Sequence, residues 1–226
     1  MSRPEVRVGG GRIPYDDAHA WVTRYLSSPG EHWAYPAYES YPGGDSPALE
    51  EADLLAPVLL STPVRSLETY YSLQENLKAF NAVLGAIPLE TSLAGATHTD
   101  LAAVVDLFAF LDTHPMHDVS LAMFTKLLHR KRPHLIPLYD TAVGTCYLDM
   151  PDAPLVRDDR RAYASFAQLW LRAVQRDLDS QLDVWAELST LTPTDGPQIS
   201  PLRALDIVGW KVGSGTDEMR SAPAEA

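Results

Sequence analysis

The residues best able to do chemistry lie between Lys126 and Asp140. Positions 119–139 contain no Asp or Glu, and they hold Lys126, His129, Arg130, Lys131, Arg132 and His134. A cation run of this kind can hold phosphate through charge-assisted hydrogen bonds. The same residues can equally form a solvated helix end, paired with acids from elsewhere in the chain. Directly after the run comes Asp140-Thr141-Ala142-Val143. A carboxylate at that point can stabilise a developing cation or act as a general base on water. It can also simply cap the helix that follows. A second arginine group comprises Arg157, Arg160, Arg161, Arg172 and Arg176, whereas Glu39, Asp45, Glu50, Glu51 and Asp53 share a stretch without a base. The pattern predicts segregated charge, with one positive face on an acidic protein.

Other candidates each carry two readings. His114-Pro-Met-His117-Asp118, with Asp112 before it, offers metal-ligand types in a loop. It lacks a second cluster and reads as a polar turn, so no metal is assigned. Asp106 and Asp206 each interrupt an apolar helical pattern, and a buried Asp needs a partner or a raised pKa. Arg203, three residues before Asp206, offers an ion pair; a pocket acid is the other reading. Trp33, Tyr35, Tyr38 and Tyr41 can stack on a ring or cover the core as a folded loop. Cys146 is the sole cysteine. It stands among apolar neighbours and reads as a small buried residue. The sequence has no phosphate-cradling Gly-x-x-x-x-Gly-Lys-Ser/Thr, no Gly-x-Ser-x-Gly and no His-Glu-x-x-His, and nothing in it calls for a cofactor.

The elements that must position these residues read as helices. Asp16 can cap a helix to about Ser27. Ser46-Pro47 opens a second helix reaching Leu60, with Pro57 as a kink. Ser66 caps a third, in which Tyr70, Leu73, Leu77, Phe80 and Leu84 recur at steps of three and four. Thr97 or Thr99 starts a fourth, apolar nearly all round over positions 101–111. Asp118 or Ser120 starts a fifth, ending in the cation run, and Asp140 a short sixth over 141–148. An amphipathic stretch follows from Asp158 to about Leu188, and Ser200-Pro201 opens a last helix stopped by Gly213. Positions 32–41 can form a short hairpin. The expected fold class is all-α: a single helical domain over positions 12–213, with 1–11 and 214–226 as flexible termini.

Composition agrees with a globular core. Of 226 residues 46% are hydrophobic and 21% charged, an ordinary balance for a packed domain. Thirty acids against eighteen bases give a net charge of −12. That disfavours nucleic acid or an anionic membrane as a default partner. Lone Cys146 fits a reducing compartment, and the first eleven residues have no apolar signal core. No run approaches the length needed to cross a bilayer. The expected location is cytoplasmic.

The stretch from Phe124 to Val143, with Pro201-Leu-Arg-Ala-Leu-Asp-Ile-Val-Gly-Trp210, resembles an uncharacterised, mostly actinobacterial family labelled only as a domain of unknown function. Around Asp140, the order helix, basic link, Pro-x-x-Asp-Thr-x-Val, helix distantly resembles the helix-hairpin-helix DNA glycosylase superfamily. That resemblance implies a helical core in the middle third and an Asp140 that assists departure of a base from an N-glycosidic bond. It implies no Schiff-base step, because the lysine of lyase-type members falls near Phe124. The hairpin glycines that admit phosphate are missing at Ser120-Leu121-Ala122, and Ala142 stands where His is common.

The expected function is therefore recognition of nucleic acid or a nucleotide-like anion by Lys126, His129, Arg130, Lys131 and Arg132. A monofunctional N-glycosylase-like hydrolysis with Asp140 as base or stabiliser would accompany it. The alternative is a non-catalytic helical scaffold whose acidic surface meets a basic protein partner. The two differ structurally. Catalysis needs Asp140 in a concave pocket beside Lys126, His129 or Arg132, whereas a scaffold predicts a solvated cap and an exposed apolar patch elsewhere.

Overall fold

The computed structural model describes residues 5–27, 33–44, 46–114 and 116–220. It is mostly helical, with one two-stranded sheet. Strands β1 (Glu5–Val8) and β2 (Gly11–Pro14) pair antiparallel, with Val8 opposite Gly11. Helices α1 (Tyr15–Ser27), α2 (Leu67–Leu84), α3 (His98–Thr113), α4 (Leu121–His129), α5 (Thr141–Leu148), α6 (Tyr163–Ser180), α7 (Leu182–Ser189) and α8 (Pro201–Arg220) follow, with a 3₁₀ helix at Glu51–Leu60 between α1 and α2.

Several caps are as the sequence predicts, but Asp16 lies inside α1, which begins at Tyr15, and α6 begins at Tyr163 rather than at Asp158. Ser66 Oγ accepts from the Thr69 amide, Thr97 forms a capping box with Asp100, and Ser120 Oγ accepts from the Met123 amide. Each satisfies an amide that the first turn leaves without an intrahelical acceptor. The core runs through the bundle, with Trp170, Trp185, Phe80, Phe108 and Phe124 fully buried. Edge-to-face contacts of Phe124 with Phe80 and Phe108 tie α4 to α2 and α3.

Five expectations need correction. All-α gives way to mostly helical, because residues 5–11, expected to be loose, form β1 and its turn. Val6, Val8 and Ile13 alternate inward, but four-residue strands are too short to show a period. Gly9 makes the turn at φ +58°; its amide donates to Asp177 Oδ2 at 2.7 Å, and a Cβ there would strike the Cys146 carbonyl. The second helix is 3₁₀, since Pro57 in its middle cannot donate to an α ladder. Positions 33–44 form turns rather than a hairpin, and residues 28–32 lie outside the described set. Helix α8 passes Gly213 to Arg220, and the long amphipathic stretch divides at Gln181 into α6 and α7.

Gly213 has a packing role instead. A Cβ on it would overlap the Ala142 carbonyl oxygen. Its absence lets α8 lie against the first turn of α5, and Cys146 Sγ donates to the Gly209 carbonyl at 3.3 Å across the same seam. This close approach fixes the start of α5, and with it Asp140, against α8.

Candidate functional site

Helix α5 begins at Asp140, whose Oδ1 accepts from the Val143 amide at 2.9 Å. Asp140 is thus a helix cap, but a half-buried one. It lines a cavity of about 420 Å³ between the start of α5, the middle of α8, the side of α4 and the end of the 3₁₀ helix. Helix α8 supplies Arg203, Asp206, Ile207 and Trp210, one face at helical spacing. Helix α4 contributes Ala122 and Lys126, four residues apart.

One wall is aromatic. Trp33 lies edge-on to Trp210 at 5.6 Å and tilted to Tyr25 at 5.6 Å. The rest of the lining includes charged groups. Lys126 Nζ donates to Thr62 Oγ1 at 2.8 Å and to the Leu60 carbonyl at 2.9 Å. Burial pushes its ammonium below the ordinary lysine range, and the nearby Asp140 carboxylate partly offsets this.

Asp206 is 2% exposed, and its Oδ2 accepts from the Leu138 amide at 3.1 Å. Its Oδ1 and the Trp33 indole nitrogen are buried without a hydrogen-bond partner among the described residues. Burial holds the Asp206 carboxyl well above the usual carboxylate range, against the pull of Arg203. The ion pair expected between those two is not formed. Arg203 Nε donates to Glu39 at 2.9 Å and its NH2 group to the Tyr25 hydroxyl at 2.9 Å. Asp106, by contrast, lies on the exposed face of α3.

The cation run divides. Only Lys126 lines the cavity. Arg130 and Lys131 point inward onto the fully buried Asp53, at 2.9 and 2.8 Å. Arg130 also donates to the Tyr38, Tyr41 and Pro42 carbonyls, and Lys131 to the Gly43 carbonyl. Arg132 donates to the Ile87, Leu84, Pro47 and Lys131 carbonyls. His129 is fully enclosed, with Nδ1 at 2.6 Å from the Ile136 carbonyl, and burial holds its pKa down at about 3. The expected phosphate-holding face of Arg130, Lys131 and Arg132 is therefore replaced by an internal clamp. These donors fasten the 38–60 segment and the end of α2 to the end of α4. The physical reason is that chain segments without secondary structure present many carbonyls that must be bonded when buried. Of the acids in the 39–53 stretch, Asp53 is the counterpart of this clamp, whereas Glu39 pairs with Arg203 and Glu51 accepts from Gln74; Asp45 lies outside the described residues.

The remaining candidates have structural roles. Asp112 accepts from the Tyr163 and Ala164 amides at 2.7 and 2.9 Å and so caps α6. His114 stacks on Phe110, and His117 lies 3.4 Å from Glu68. Arg157 is bonded through two nitrogens to Asp149. Tyr35 and Tyr38 are buried, with the Tyr38 hydroxyl donating to the Lys126 carbonyl at 2.6 Å. Of the aromatic loop, only Trp33 reaches the cavity. No motif in the sequence marks Tyr25, Thr62 or Trp210 as site residues. Trp210 follows Asp206 by four residues, and that spacing on one helix face was the available signal.

No helix among the described residues is long and apolar enough to cross a membrane. The chain belongs to a family of unknown function, DUF6308, whose model matches residues 18–213. No curated protein and no solved structure matches it.

Proposed function

We propose that this member of a family without an assigned activity binds a nucleoside-like compound in the Asp140 cavity and hydrolyses its N-glycosidic bond. The observation that carries the reading is the shared cavity of Asp140, Lys126 and the Tyr25–Trp33–Trp210 wall. A flat base fits the aromatic wall, where stacking supplies affinity without sequence-specific contacts. The distant glycosylase-like order of elements around Asp140 supports the same chemistry. As the C1′–N bond breaks, its electron pair leaves with the base and the sugar becomes cationic. The Asp140 carboxylate stabilises that charge. Water adds its oxygen to C1′, and its proton passes by way of Asp140 to the departing base.

A free nucleoside unit is favoured over duplex DNA. Arg130, Lys131 and Arg132 are spent internally, and the net charge is −12. What favours this reading over a scaffold is that Asp140 lines a concave, charged cavity rather than standing as a solvated cap. The test is release of free base from a panel of purine and pyrimidine nucleosides and a short single-stranded DNA. The wild type is expected to release base from the nucleosides, and Asp140→Asn, which keeps a capping side chain, is expected to lose at least a hundredfold in rate. Absence of base release from every substrate overturns the reading.

A further inference from the structure

We propose that the ligand of this cavity carries a single phosphate, seated where the cavity meets a neighbouring groove beside the 3₁₀ helix; this rests on the nucleoside reading above. Ser61 and Thr62 line both the cavity and a second depression of about 440 Å³, which continues over Arg65, Asp118 and Ser120. The two spaces thus adjoin along one short wall, and together they suit a two-part ligand: a ring and sugar in the first, a charged group at the junction.

Lys126 marks that junction through its bond to Thr62 Oγ1. Two of its three N–H donors are taken by Thr62 and Leu60. Lys126 is 4% exposed, and among the described residues no carboxylate lies within ion-pair distance of its Nζ. The buried Arg130, Lys131 and Arg203 each have one, and Arg132, which also lacks one, instead fills its guanidinium with four carbonyl bonds away from the cavity. A buried cation without a counter-charge is costly, and an anion delivered by the ligand removes that cost.

Arg65 stands in the second depression, exposed and without a hydrogen bond or ion pair to the described residues. Its planar fork is free to take two oxygens of one phosphate. Asp118 bounds the same depression, its carboxylate 3.5 Å from His117 Nε2. That negative charge opposes further phosphates, which favours a monoester over a polyphosphate or a nucleic-acid backbone.

Quenching of tryptophan fluorescence reads binding directly, because Trp33 and Trp210 line the cavity. The full chain is titrated with adenosine, cytidine and their 5′-monophosphates. The monophosphates are expected to bind about tenfold tighter or more than the nucleosides. In Arg65→Ala that ratio falls toward one, and Arg65→Lys keeps part of it. Arg65 is solvated, so its substitution does not threaten the fold. Equal affinities for nucleoside and monophosphate, or a ratio indifferent to Arg65→Ala, overturn the phosphate assignment while leaving the nucleoside reading standing. Binding of neither overturns both.

Discussion

Lys126 and Arg130 stand one helical turn apart in the same run of cations, and both are buried. Arg130 meets a carboxylate and three carbonyls, so its charge is balanced within the chain. Lys126 meets one carbonyl and one hydroxyl at the wall of a cavity. The difference separates a clamp from a site. A buried charge that is fully bonded holds the fold together, whereas a buried charge left short of a counter-ion beside open space is poised for something outside the chain. Charge density along the sequence cannot tell the two apart, because both look like the same basic patch.

The clamp side of this contrast carries the largest expected effect. Asp53→Ala leaves Arg130 and Lys131 buried without their carboxylate and is expected to cost about 3–5 kcal/mol in urea unfolding. A cost under about 1 kcal/mol would break the contrast, because the clamp would then not be holding the fold. Next is the pH dependence of His129. Its folded pKa, about 3, lies below the ordinary value of 6.5. Between these values the unfolded chain binds a proton that the folded one refuses. Stability is therefore lost as pH falls from above 6.5 toward 3, by up to about 5 kcal/mol. His129→Asn places an amide N–H donor where Nδ1 meets Ile136 and removes the titration. Subtracting its stability–pH curve from that of the wild type should isolate this slope.

A smaller effect sharpens the link between fold and site. Gly213→Ala pushes α8 away from the first turn of α5 and is expected to cost about 1–3 kcal/mol by thermal unfolding. Because Asp140 rides on that turn, base release should fall with it, even at temperatures where the variant remains folded. The smallest stability effect is at the site itself. Asp140→Asn should stay within about 0.5 kcal/mol of wild type, since Asn caps as well as Asp, while Asp140→Ala costs about 1 kcal/mol. An Asp140→Asn variant that unfolds readily would move Asp140 from the site into the framework.

Much of the fold was legible because its signals are local. Ser66, Thr97, Ser120 and Asp140 each cap the helix that their sequence context predicts. The β1–β2 hairpin was hidden by its short strands, although the Gly9-Gly10 pair between them is a turn signal. Asp140 and Lys126 were legible as candidates and share the cavity. Arg130, Lys131 and Arg132 misled, because their partners Asp53, Gly43 and Leu84 are 48 or more residues away, and no local pattern records which carbonyls a loop will bury. Asp206 was recognisable as an acid out of place in an apolar helix. Its actual bond to Leu138, and the diversion of Arg203 to Glu39, depend on segments brought together only by the fold.

The contrast between clamp and site is tested most directly by urea unfolding of two matched variants, Lys126→Met and Arg130→Met. Each replaces a buried cation with an unbranched apolar side chain. If Lys126 serves a ligand, its removal relieves an unbalanced buried charge, and Lys126→Met unfolds at a urea concentration equal to or above that of wild type. Arg130→Met strands carbonyls and part of the Asp53 charge, and is expected to lose about 3 kcal/mol. A Lys126→Met variant as destabilised as Arg130→Met would contradict the account, making Lys126 one more member of the clamp.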